Sequence, residues 1–450
     1  MTNRTSIINK FVVEGLFGYR NVSINFAGPN KIVVAENGMG KTTLLNLLYW
    51  SLTGQAINFM GVQFARIRIF FHNDQEVVID KHQLFAIDPE QLDNFPFPGR
   101  RYGITVGDQA DLMHMYIAQP DGSTLAQSDT YNRYYRRSPF DAEEIVGQLR
   151  SAVERYITRI NFFKIKKKIL DALGVTKILY LPTYRRIETS FKDEDSSSFD
   201  ENRERLIFFG MSDVEQKLKS ITDEIKEQTL AAYTTLNASF LDKLVAAGEP
   251  QVLSRSDTAI DLEVMKLVLA RIGKGVDDPT ALKIQELIRS GAILDPTYYH
   301  LNYFLLELAK LGQAQQSKEA AILGFKEVVN EYWATAGREK SMEYDKYKVQ
   351  VFIQNNVTDT QIPFPVLSSG EKQIVSVFSR LYFDEAESYF VIIDEPELSL
   401  SIDWQRLFLP HIAGTPKCRS LLAITHSPYI FDNELDSIAS SLETSRWEGK

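Results

Sequence analysis

The chain is poorest in the residues that would anchor it by covalent or metal chemistry: among 450 residues there is one cysteine, Cys418, and there are six histidines. A single cysteine excludes an internal disulfide framework and any cysteine-based zinc site, and it fits a reducing compartment. No uncharged apolar run reaches the roughly 18 residues that a membrane-spanning helix needs, and the opening MTNRTSIINKF has no apolar signal core. The expectation is a cytoplasmic protein without membrane contact. An excess of positive charge is also missing. The formal net charge is -9 and the sequence pI ≈ 5.4, so the surface as a whole does not advertise a polyanion as main partner. What remains, 44% apolar and 24% charged, is ordinary globular composition with enough length for one large core or two modest ones.

Residues Lys31 to Leu48, KIVVAENGMGKTTLLNLL, carry the strongest local signal. A β-branched run leads into a glycine-bearing loop and then a helix-forming stretch. Gly38 and Gly40 let the loop backbone approach phosphates, Lys41 can reach the β- and γ-phosphates, and the Thr42 hydroxyl can bind Mg²⁺. The loop reads as a Walker A motif with Asn37, Gly38, Gly40, Lys41, Thr42 and Thr43 as ATP-binding residues, although Ala35 stands where the pattern G-x-x-x-x-G-K-[ST] has its first glycine. An ordinary strand-turn-helix with a chance Gly-Lys is the bland alternative.

Upstream, Phe11 to Phe26 alternates around two glycines and reads as a β-hairpin. Downstream, Phe64 to Phe71 and Glu76 to Asp80 read as strands joined by a polar turn, Asp88 to Gly103 as an irregular loop, and Leu112 to Ala118 as a further strand ending at Gln119. Gln119 is either a phosphate-sensing glutamine or an exposed loop residue. Arg133, Arg136 and Arg137 lie among tyrosines, and Lys164 to Lys168 sit on an expected helix. Such clusters can grip nucleic acid, or they can be solvated faces or subunit contacts. Ile178 to Leu181 is a short strand followed by Arg185 and Arg186, placed to neutralise a triphosphate or to pair across a subunit interface. Asp193 to Asp200, acidic and serine-rich, reads as a mobile loop and a boundary.

From Ser212 the period turns helical, with Ser212 and Glu215 as an expected capping box. Further helices are expected at Thr258 to Ile272, Thr280 to Ser290, Pro296 to Leu311 and Gln315 to Trp333. With no internal repeat and no heptad sustained beyond the first helix, where Val214, Leu218, Ile221 and Ile225 alternate four- and three-residue steps, this is a compact insertion rather than a long coiled-coil arm. β-type sequence resumes at Tyr347 to Ile353. Three motifs then follow: LSSGE at 367 to 371, where Ser368, Ser369 and Gly370 offer a hydroxyl and a helix N-terminus to a γ-phosphate; a strand Tyr389 to Ile393 ending in Asp394 and Glu395, a Walker B pair in which Asp394 holds Mg²⁺ and Glu395 orients the attacking water; and a strand Leu421 to Ile424 ending in Thr425 and His426, a γ-phosphate sensor. The expected division is 1–205 for the first part of a nucleotide domain, 206–345 for the helical insertion and 346–450 for the second part.

AENGMGKT at 35 to 42, LSSGE at 367 to 371, VIIDEPELSLS at 391 to 401 and THS at 425 to 427 resemble the ABC-type ATPase heads of the superfamily of structural-maintenance, Rad50 and overcoming-lysogenisation-defect proteins. The resemblance implies an α/β fold, a mixed β sheet with flanking helices around a P-loop, interrupted by the α-helical insertion. It also implies ATP and Mg²⁺ as cofactors, Glu395 as catalytic base, His426 as switch residue, and a homodimeric sandwich in which the Ser368 loop of one subunit closes on the Lys41 loop of the other. Leu398 to Ser401 would be the D-loop, although relatives often carry His at the position of Ser401.

The length, the insertion and LPTYRRIE at 181 to 188 further resemble the AriA family, ATPase subunits of PARIS anti-phage systems. That likeness implies a hexamer built as a trimer of dimers, a Toprim-like nuclease partner of the AriB kind held inactive, and release of that nuclease on sensing a phage protein. The alternative is a DNA-repair or recombination-mediator ATPase acting on DNA. Zinc-hook repair proteins are disfavoured by the single cysteine, and the chain itself as nuclease by the roughly 24 residues that follow His426.

Overall fold

A computed structural model describes residues 6–36, 38–93, 95–120, 122–182, 211–245, 262–271 and 278–449. Its strands are β1 Ile8–Leu16, β2 Arg20–Asn25, β3 Asn30–Val34, β4 Arg66–Phe71, β5 Glu76–Asp80 and β6 Thr176–Leu181. They continue as β7 Lys340–Asp345, β8 Gln350–Asn355, β9 Thr360–Ile362, β10 Ser388–Asp394, β11 Cys418–Thr425, β12 Ala439–Ser441 and β13 Glu443–Arg446. The chain divides into two compact units, Met1–Ile207 with Ala386–Lys450, and Phe208–Glu385.

The first unit holds two sheets of opposite character. The antiparallel one has the order β13-β2-β1-β4-β5, and its first hairpin is the one expected from the alternation around Gly15 and Gly18. The second has the order β12-β3-β11-β10-β6, and every neighbouring pair in it is parallel. Parallel strands carry apolar side chains on both faces, and β10 and β11 read accordingly: Phe390 to Ile393 and Leu421 to Ile424 are all buried. The helix Lys41–Thr53 packs its Leu44, Leu45, Leu47 and Leu48 into the same core. Tyr180 of β6 is tied to that helix by donating its hydroxyl hydrogen to Asn46 Oδ1 at 3.0 Å.

Residues 112–118 are not a strand. They belong to a helix, Val106–Ala118, whose start is closed by a capping box between Thr105 and Asp108. Leu112, Met113 and Tyr116 are buried while Asp111, His114 and Met115 face out, which is helical spacing compressed into a run short enough to pass for a strand. The lysine-rich stretch forms the expected helix, Phe163–Leu173.

The second unit is built on two long helices, Met211–Val245 of 35 residues and Tyr299–Thr335 of 37 residues. At 1.5 Å per residue each is about 50 Å long. The first begins at Met211, so Ser212 lies inside its first turn rather than capping it. The second fuses the two helices expected at 296–311 and 315–333: Gly312 does not break it, because Gly within a helix costs only about 1 kcal/mol and its Ala, Leu, Gln and Lys neighbours favour helix. The described part of the stretch expected as helix at 258–272 is Leu262–Arg271, and Pro279–Ser290 is the next helix. A three-stranded antiparallel sheet β7-β8-β9 follows. The run expected as a strand at 347–353 straddles its first turn, where Val349 has φ 51, so that Lys340–Asp345 and Gln350–Asn355 are the strands. The unit continues through the helix Ser369–Phe383. Residues 346–385 therefore cluster with the helical unit, whereas the sequence division groups them with the Walker B strand.

Candidate functional site

The register of the parallel sheet assembles the site in the first unit. Thr425 pairs with Val34, Asp394 with Ile424, and Ile393 with Leu181, so β3, β11, β10 and β6 end level with one another. Ligands of such sheets bind beyond the carboxyl ends of the strands, and β3, β10 and β11 lead there into residues singled out in the sequence.

After β3 the chain turns through Gly38, with φ 81, and Gly40, with φ 83. At Gly40 a Cβ would stand 2.8 Å from Phe17 Cε2, so both the left-handed backbone and the tight approach of the β1–β2 turn call for glycine. Ala35, in the place of the first motif glycine, is buried and donates its N–H to Thr425 O at 3.2 Å; a methyl is accommodated there. Lys41 opens the helix and is 7% exposed. Among the described residues no side chain caps that helix at Gly40, and no acidic residue stands in its first turn. Thr42 and Thr43 are half-buried in the same turn. Asn37 lies outside the described residues.

β10 delivers Asp394, 2% exposed, and Thr42 donates its hydroxyl hydrogen to Asp394 Oδ2 at 2.6 Å. A hydroxyl and a carboxylate so close form a hard-oxygen pair of the kind Mg²⁺ takes alongside water and phosphate oxygens. Glu395 follows with φ 52, a left-handed conformation that costs a non-glycine residue about 1–2 kcal/mol and is concentrated at functional sites. Its carboxylate forms an ion pair with Lys41 and a hydrogen bond with His426 Nδ1. Burial opposes its charge, but hydrogen bonds with Glu397, Lys41 and His426 outweigh burial and hold the carboxyl below its usual range.

The sequence reading passed over Glu397. It is 6% exposed, and it accepts hydrogen bonds from Thr425 Oγ1 at 2.7 Å and from the His426 N–H at 3.0 Å, while His426 Nδ1 stands 2.8 Å from its Oε1. Burial and the neighbouring Glu395 push its carboxyl up; Thr425 and the backbone N–H of His426 oppose them. The available signal was a second glutamate in DEPELS, two residues after the first. Glu395, Glu397 and His426 place one ligand-type atom each within 4.8 Å of one another, a spacing also open to a cation.

Ser368, Ser369 and Gly370 belong to the second unit. Ser368 caps the helix Ser369–Phe383 and is exposed; Gly370 is buried. The Ser368 N–H donates to Glu371 Oε2 at 2.8 Å, the Glu371 N–H to Ser368 Oγ at 3.4 Å, and Lys340 pairs with the same carboxylate at 2.8 Å. Arg185 and Arg186 lie outside the described residues. Gln119 is exposed at the end of the helix Val106–Ala118 and accepts a hydrogen bond from Ser123 Oγ at 3.1 Å. Among the described residues no helix is long and apolar enough to cross a membrane.

Comparison with known proteins adds two family matches. Residues 184–432 match the family described as AAA domain, putative AbiEii toxin, type IV toxin–antitoxin system, and residues 10–237 match a family described as AAA domain. No curated protein matches. Among solved structures the chain is similar to the SMC head domain of Pyrococcus furiosus, with an extended coiled coil and bound to the C-terminal domain of ScpA; identity is 13%, coverage 98% of this chain and 97% of that one, and the TM-score 0.33.

Proposed function

Because the chain belongs to the AAA-domain family described as putative AbiEii toxin of type IV toxin–antitoxin systems, we propose that it is an ATP-hydrolysing sensor and scaffold of a bacterial defence system. The observation that supports this most is the convergence of Lys41, Thr42, Asp394, Glu395 and His426 at one end of one parallel sheet. In this reading Lys41 and the N–H groups of the Gly38–Thr43 turn bind the β- and γ-phosphates. Thr42 and Asp394 hold Mg²⁺, which when bound neutralises phosphate charge. Glu395 orients the attacking water and takes up its proton, and His426 senses the γ-phosphate. Arrival of the triphosphate draws the Lys41 ammonium away from Glu395, so the base is released when its substrate is present.

Two heads close on two ATP molecules in this proposal, with the exposed Ser368 of each facing the nucleotide of the other, and such dimers build a larger homo-oligomer. The effector is a separate Toprim-like nuclease, stored on the assembly and released when a phage protein is sensed; the family description and the likeness to PARIS ATPase subunits support that role. Co-expression with the neighbouring gene should yield one complex, and inducing the trigger should arrest growth with wild type but not with Glu395→Gln. Purification of the chain alone from the intact operon, with arrest unchanged in Glu395→Gln, would refute storage gated by ATP. A DNA-stimulated ATPase is the second reading. It is favoured by Lys164, Lys167, Lys168 and the 60% exposed Phe163 on one helix, a basic and aromatic surface suited to a phosphate backbone.

A further inference from the structure

We propose that Glu397 is a positioning residue of the ATPase site, one that fixes the His426 ring with its proton on Nδ1 and so presents Nε2 to the nucleotide. The proposal rests on the reading of Glu395 and His426 given above. A carboxyl group that is 6% exposed is tolerated in a protein interior only where its oxygens are well supplied with hydrogen-bond partners. Glu397 meets that condition through the end of β11: the Thr425 hydroxyl lies at 2.7 Å from Oε2, the His426 N–H at 3.0 Å from Oε1 and Nδ1 at 2.8 Å from Oε1. Thr425 is fully buried and pairs with Val34, the last residue before the phosphate loop. One side chain therefore ties the switch histidine to the strand pair that carries the loop.

The tautomer follows from the acceptors. Glu395 Oε2 and Glu397 Oε1 both approach the same ring nitrogen. Glu395, whose carboxyl is held ionised, requires Nδ1 to donate, with Glu397 Oε1 beside the same nitrogen, and Nε2 is left as the nitrogen that neither carboxyl group engages. Partners of this kind set ring orientation and tautomer, and their loss typically costs ten- to hundredfold in activity, as outer-shell partners of metal-bound histidines show.

The test uses the full-length protein with ATP and two variants. Glu397→Met keeps the volume and removes both acceptors; Glu397→Gln restores one. Expected for Glu397→Met is a fall in kcat of about ten- to hundredfold with KM within about twofold, and substantial rescue in Glu397→Gln. Ring ¹⁵N spectra, with His426 assigned by its loss in His426→Gln, should show Nδ1 protonated in wild type and in Glu397→Gln, and mixed tautomers in Glu397→Met. The proposal is overturned if kcat of the folded Glu397→Met protein is unchanged, if both variants lose activity only in proportion to a lowered Tm, or if wild-type Nδ1 is unprotonated, as it would be if the three groups bound a cation. Glu395→Gln is assayed in parallel. If it still hydrolyses ATP, the reading of the site fails; if it is inactive while Glu397→Met matches wild type, only the role of Glu397 fails.

Discussion

The helix that starts at Lys41 and the helix that starts at Ser369 begin in opposite ways. The first follows a left-handed Gly40, with no capping side chain and no acid in its first turn. The second is closed by a reciprocal capping box, with Ser368 and Glu371 bonded to each other's backbone N–H and Lys340 seated on the carboxylate. A helix start carries unsatisfied N–H groups and a positive dipole end. At Lys41 no side chain of the N-cap residue supplies a negative charge, and in the proposed reading the phosphates of ATP would stand there. At Ser368 the chain supplies its own anion. If Ser368 meets a γ-phosphate as proposed, it would exchange one partner for another.

The largest expected effect tests the uncapped start. Lys41→Ala should weaken ATP binding by about 100-fold or more, because a charge-assisted contact worth about 3 kcal/mol is lost. Glu395→Gln should bind ATP at least as tightly as wild type, since it no longer competes for Lys41, and lose at least about 100-fold in turnover. Calorimetry beside phosphate-release assays separates the two, and equal losses of affinity would remove Glu395 from the role of base.

Next comes the self-capped start. Ser368→Arg should leave ATP binding to single subunits intact and block hydrolysis, since a bulky side chain fills the opposing phosphate position. Mixed with Glu395→Gln chains, it can rebuild at most one competent site per mixed dimer. Activity that stays absent when mixing has been verified by native mass spectrometry would argue against action across the interface.

The smallest effect is on stability. Ser368→Ala should cost about 1 kcal/mol through the lost cap. At Glu371 burial opposes ionisation, but Lys340 and the Ser368 N–H outweigh it and hold the carboxyl below its ordinary value of 4.5. A depressed carboxyl contributes stability that is present above the unfolded value and is lost as pH falls through the folded one. The Tm difference between wild type and Glu371→Gln should thus be steady near neutrality and shrink below about pH 4.5; a difference that stays constant through that range would mean the charge of Glu371 contributes nothing.

Those predictions depend on residues whose visibility in the sequence differed for physical reasons. The strands ending at Val34, Asp394 and Thr425 were legible because a buried parallel strand needs an apolar run and a strand end beside phosphate needs polar groups, two demands that abut within a few residues. The helix at 106–118 was misread because Leu112 to Ala118 is apolar enough for a strand, while its decisive signal, the Thr105–Asp108 cap, lies outside that window. The continuous helix through Gly312 was hidden by the weight a single glycine carries in a pattern search. Glu397 was hidden for another reason: its importance lies in Thr425 and His426, 28 and 29 residues away in the chain, and no local spacing rule connects them.

The pair formed by Lys41 and Glu395 also bears on the order of events in a catalytic cycle. Any anion that enters the loop competes with a resident carboxylate for the same ammonium group, and when the anion leaves, that carboxylate is already at hand to take its place. Glu395 thus acts as a built-in competitor of phosphate. In the proposed reading it would weaken the hold on a departing product as well as tax the arrival of the substrate, and so favour turnover over tight, stalled occupancy.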